Sequence, residues 1–142
     1  MKRYFVLLVL FAITLGFSSE VNGQNYKVIV NTDNPVKEIS RKELDKVFLK
    51  KVTKWENDVK IKPINLNQES DVRESFSKDV HKKNVSAIKA YWQKQIFTGK
   101  GVPPVEKSND REIIDFVKSN PGAVGYISGG ANTNGVKTIT VK

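Results

Sequence analysis

Apolar positions along this chain recur with two periods that alternate from segment to segment. Tyr26, Lys27, Val28, Ile29 and Val30 form a β-branched run that predicts a first strand, which Asp33, Asn34 and Pro35 break. Ser40 with Glu43 three residues later has the form of a capping box, and Ile39 with Leu44 is placed as the hydrophobic staple of the same helix start. Leu44, Val47 and Phe48 define the buried face of that helix. Residues 59–65 read as a second strand, with Pro63 at an edge or strand end because it has no amide to donate. A helix opening at Ser70 or Asp71 carries Val72, Phe76 and Val80 on one side, with a capping box from Asp71 to Glu74.

Ser86 reads as the cap of a third helix, with Ile88, Tyr91, Trp92 and Ile96 at helical spacing and Gly99 as its stop. Ser108 or Asn109 caps a fourth, carrying Ile113, Ile114, Phe116 and Val117. Pro121 ends it, Gly122 tolerates positive φ, and residues 123–127 are a short β-prone run. A flexible turn at residues 129–135 leads to a terminal strand at 136–141. Strands thus alternate with helices, and the fold class expected is α/β, a single layered domain with a mixed sheet flanked by helices. Phe48, Trp55, Phe76, Trp92, Val117 and Tyr126 are the expected core.

The first 23 residues stand apart. Lys2 and Arg3 precede an apolar run over residues 4–17 that ends in small and polar residues, the pattern of a signal peptide. The run falls short of the roughly 20 residues that span a bilayer, so cleavage is expected in place of a membrane anchor. Residues 1–23 are read as the signal and 24–142 as one domain, in the periplasm or secreted. The chain has no cysteine, so no disulfide staples the fold. Without the first 23 residues the chain carries 22 basic and 14 acidic side chains. In an exported protein that excess argues against nucleic acid and for anions or anionic envelope surfaces.

In order and spacing, several elements resemble the phosphate-binding protein of bacterial ABC transporters, a member of the type 2 periplasmic-binding-protein superfamily. They are the strand ending at Asn31, the helix from Ile39 to Leu49, Lys54 and Trp55, the strand at Ile61, Phe76, Trp92, the turn at Gly99, Lys100 and Gly101, and the run from Pro121 to Tyr126. The family protein has two hinged lobes, and the likeness is to the second lobe only. The resemblance implies an oxyanion held at a helix start, where N–H groups point at the charge. In the family, an Arg and an Asp precede a Gly-Ser-Gly-Thr turn. Here Leu66 stands for the Arg, Gln68 for the Asp, Ser70 for the serine, and Asp71 and Val72 for the Gly and Thr that follow it. The candidate ligand-binding residues are therefore Asn67, Gln68, Ser70, Asp71, Val72 and Arg73. Arg73 is expected to offset Glu69 and Asp71.

No catalytic group is expected. His81 is the only histidine, flanked by Lys82 and Lys83, and reads as a solvent-facing helix terminus. With one histidine and no cysteine, neither a metal site nor a cofactor is expected. The expected function is non-catalytic recognition of phosphate or another small anion, within or derived from an ABC uptake system. A homodimer or an envelope protein would supply the second wall. The alternative is an interaction module without ligand, serving an envelope or sensor assembly. N-terminal sequencing of protein recovered from the periplasm or medium should return Gln24 as the first residue; an intact Met1 chain in the membrane fraction would identify the segment as an anchor.

Overall fold

Strands β1 (Tyr26–Val30), β2 (Glu38–Ile39), β3 (Lys62–Leu66), β4 (Val105–Lys107), β5 (Ala123–Ser128) and β6 (Lys137–Val141) form one mixed sheet in the order β2-β6-β1-β5-β3-β4. This computed structural model describes residues 25–142. The expected export signal, residues 1–23, lies outside the described residues. β1 pairs antiparallel with both β5 and β6, whereas β3 runs parallel to β5 and β4, and β2 parallel to β6. Five strands therefore run in one direction and β1 alone against them. All five carboxyl ends share one edge of the sheet.

Of four α-helices, α1 (Arg41–Phe48), α2 (Asp71–Phe76) and α4 (Asp110–Ser119) flank the sheet, a π-helical turn at Ser77–His81 continues α2, and α3 (Val85–Phe97) packs against that turn. Alternation along the strands assigns the faces. Tyr26, Val28, Tyr126 and Asn65 point to one side, where Phe48 of α1 and Phe76 of α2 meet them. Ile29, Gly125 and Ile64 point to the other, against α4. β5 is covered on both faces, which is why residues 123–127 are all buried and read as an unbroken apolar run.

The caps explain the helix starts. Ser40 accepts from the Glu43 amide and Asn109 from the Glu112 amide, as the sequence predicts. The third helix starts earlier than expected: Asn84, not Ser86, is the cap, accepting from the Ala87 amide, and Ser86 is exposed inside the helix. Glu74 closes no capping box with Asp71; Ser70 caps α2, and the Glu74 carboxylate accepts from the Val85 amide instead. Pro63 lies near the start of β3 and pairs with Val124, while β4 joins only from Ile64 onward. The missing amide thus costs no ladder bond on the β4 side, although β3 is an interior strand.

Gly122 is required for space, not for positive φ. A Cβ there would sit 1.8 Å from the Lys60 carbonyl oxygen, and the positive-φ glycines among the described residues are Gly99 and Gly135. Gly125 likewise lets α4 approach, since a Cβ would meet Ile113 Cγ2 at 2.8 Å and Ile64 Cγ2 at 2.9 Å. Phe48, Phe76, Val117 and Tyr126 lie in the main core. Trp55 is only half-buried, and its Nε1 donates to the Gly122 carbonyl at 3.0 Å. Trp92 is buried, but with Val85 and Ile88 it lies apart from the main core, and Ile96 at the end of the same stripe is 54% exposed.

Phe76 is 1% exposed and touches three aromatic rings of the core. Phe76→Ala should cost about 3–5 kcal/mol, read from the urea midpoint of unfolding.

Candidate functional site

Each parallel strand at the shared carboxyl edge except β5 and β6 feeds a helix there. β2 leads into α1 through Ser40, β3 into α2 through Ser70, and β4 into α4 through Asn109. Three helix N-termini, each bearing a partial positive charge, thus lie along one edge, from β2 at one side of the sheet to β4 at the other, the edge at which open α/β sheets hold ligands. The amino end of β1 arrives at the same edge. There the Tyr26 hydroxyl donates to Asp79 Oδ2 at 2.5 Å, and Arg41 Nε reaches both Asp79 oxygens at 3.0 Å. Burial works against the Asp79 charge, but the hydrogen bonds from Tyr26 and Arg41 outweigh it and hold the carboxyl below its ordinary pKa.

The six candidate residues share the loop from β3 into α2, but they do not share a task. Asn67 shapes the turn: its amide donates to the Lys107 carbonyl at 2.9 Å and its side chain accepts from the Glu69 amide at 3.2 Å. Ser70 Oγ accepts from the Arg73 amide at 3.3 Å, and the Ser70 amide donates to the Asn67 carbonyl. Val72 packs partly against the core. Gln68, Glu69 and Asp71 are exposed. The amides of Glu69, Ser70 and Arg73 are therefore already bonded to the protein.

Arg73 sits differently from the sequence expectation. It is 5% exposed, and Nη1 donates to the Leu66 carbonyl at 3.0 Å and to Glu106 Oε1 at 2.5 Å. Its charge ties α2 to β3 and β4 and does not face a ligand beside Glu69 and Asp71. Next to it the buried Tyr126 hydroxyl donates to Asn65 Oδ1 at 2.8 Å, and burial pushes its pKa upward. Glu106 and the group of Tyr26, Arg41 and Asp79 carry no signal in the sequence, because their partners lie 33 or more positions away.

His81 also departs from expectation. Its side chain is 5% exposed, edge-on to Phe76 at 5.7 Å, with Nδ1 2.6 Å from Asp45 Oδ1. Since the carboxylate only accepts, the neutral ring donates from Nδ1. Among the described residues no group of three or more His, Cys, Asp or Glu side chains is placed to hold a metal ion, and no helix is long and apolar enough to cross a membrane.

A mixed sheet with helices on both faces and three helix starts at one edge is a single α/β lobe of the PBP-like fold. The chain belongs to the PBP superfamily: the model of the PBP superfamily domain matches residues 25–140. Among solved structures, it is similar to an ABC-type phosphate transport receptor from Vibrio cholerae, with TM-score 0.66 and 22% identity over 82% of this chain and 46% of that one. A protein assigned as a phosphate ABC transporter substrate-binding protein, from Clostridium perfringens and with bound phosphate, matches with TM-score 0.66 and 21% identity over 82% and 44%. PstS from Borrelia burgdorferi matches with TM-score 0.59 and 20% identity over 83% and 47%. The chain thus spans less than half the length of each. No curated protein matches it.

Burial lowers the His81 pKa and outweighs the raising effect of Asp45. Folded His81 therefore binds its proton less readily than the unfolded chain does, whose histidine titrates near about 6.5. The stabilisation is present above that pH and lost as pH falls below it. Urea midpoints between about pH 8 and 5.5 should decline on the acid side, and His81→Gln should flatten the decline.

Proposed function

We propose that this chain is a non-catalytic, exported recognition lobe that takes a small oxyanion at the carboxyl edge of its sheet, with the opposite wall supplied by a second copy or another envelope protein. The three helix N-termini along that edge carry this reading, because each brings partial positive charge to the same edge of the sheet. The solved relatives described as phosphate receptors support the choice of anion. One lobe leaves much of the ligand hydrated, so binding by this chain alone is weak. Gln68, Ser70 and the first turn of α2 are the contacts offered, with Asp71 opposing.

A second reading, an interaction module that has given up its ligand, is favoured by one observation. Arg73, the cation of this loop, is committed to Glu106 and the Leu66 carbonyl, while Glu69 and Asp71 remain exposed at the helix start.

Titration calorimetry with inorganic phosphate separates the two. On the first reading the parent binds weakly, and Asp71→Gly binds a few-fold more tightly because one opposing charge has gone. Arg73→Ala should chiefly lower stability, by about 1–3 kcal/mol or more, since it strands a buried carbonyl and a carboxylate. Absence of heat from both the parent and Asp71→Gly at millimolar phosphate would leave the interaction module standing.

A further inference from the structure

At the opposite edge of the sheet lies a groove of 370 Å³. Its basic lining is Lys50, Lys60 and Lys62; Val52, Val105 and Phe116 are prominent among its apolar walls. No carboxylate lines it, and Glu56 and Asp58, in the turn that precedes Lys60, stay outside. Among the described residues none of the three lysines has an acidic partner within ion-pair distance. Lys62 Nζ donates to the neutral Asn120 Oδ1 at 3.1 Å.

Lys50 is placed there against two local preferences. It follows the cap of α1 with φ 56°, the left-handed conformation in which glycine is the usual residue. It also lines the same groove as Lys60, a like charge. Burial first, and then Lys60, hold its pKa below the ordinary lysine value. A glycine would relieve both conflicts. Lys82, which shares the left-handed conformation, differs in lying 3.9 Å from Asp79. Local rules broken in this way are expected at functional or strained positions.

We infer that this groove binds an amphiphilic anion, with a phosphate or carboxylate head between Lys50 and Lys60 and a short apolar body along Val52, Val105 and Phe116. The two lysines repel until an anion enters, and Val105, 57% exposed on the edge strand, gains cover from the apolar body. This site is separate from the oxyanion edge: it lies at the start of β3, and the Asn67 loop lies at its end, about 17 Å along the strand.

Titration calorimetry with hexyl phosphate, inorganic phosphate and hexanol tests it, with amide chemical shifts locating the site. Hexyl phosphate should bind about tenfold or more tightly than either control, shifting Val105 and Phe116 and not residues 67–73. Lys50→Gly should fold at least as stably as the parent, by urea midpoint, yet lose about tenfold in hexyl phosphate affinity. Lys60→Gln should lose a similar factor. Undiminished binding in both variants, no binding to the parent, or shifts confined to residues 67–73 would each overturn the inference.

Discussion

Phe76 lies flat on Tyr126, with 3.9 Å between ring centres and 7° between planes, and this stack fixes α2 over the middle of the sheet. Tyr26 and Phe48 meet Phe76 edge-on at 5.3 and 4.8 Å, so β1 and α1 are aligned to the same ring. The position of the α2 helix start follows from it. With Phe76 pinned, the first turn of α2 lies beside the end of β3, where Ser70 caps it and Arg73 turns inward to the Leu66 carbonyl. A side chain of high apolar area thus sets the coordinates of the polar loop one turn away.

The charge balance of the carboxyl edge follows from that alignment. A buried guanidinium needs partners for its charge, and here a backbone carbonyl and Glu106 both accept from Nη1. An arginine so engaged stabilises the junction of α2, β3 and β4 and is withdrawn from solvent. The exposed remainder of the loop is net acidic. On the proposed reading, attraction for an anion rests on the helix starts themselves, whose partial charges act only over the first turn. Such an edge favours contacts in which a second surface brings cations of its own.

Elements with strong local signals were legible in the sequence. The spacing of Ser40 and Glu43 located the start of α1, and the unbroken apolar run after Pro121 located β5, the strand buried on both faces. Two classes of feature were not. β2 and β4, of two and three residues, are too short for periodicity to register and exist because neighbouring strands offer them a ladder. Side-chain partnerships across the fold were equally hidden. Lys82 and Lys83 made His81 look solvated, yet Asp45, 36 positions earlier, holds it inside. Ser86 reads as a cap by residue type, but Asn84, of a type that serves equally well, takes the role two positions earlier. Within the loop at 67–73, the turn and the cap could be read from residue types, whereas the inward path of Arg73 depended on Glu106 from a strand no local signal announced.

The π-helical turn at Ser77–His81 adds length to α2 without adding a regular turn. Each residue of an α-helix advances the chain by about 100°, so the wider turn resets which way everything after it faces. Lys82 then ends the segment in the left-handed conformation, and Ser77 Oγ donates to the Lys83 carbonyl at 2.6 Å to fasten the exit. A relative lacking one residue in this stretch could run as plain α-helix and lose nothing in backbone pairing. It would, however, present a different side chain to Asp45 and launch α3 in another direction. The segment is therefore a point where a single insertion or deletion, with no change in the sheet, redirects an entire helix and the surface it carries.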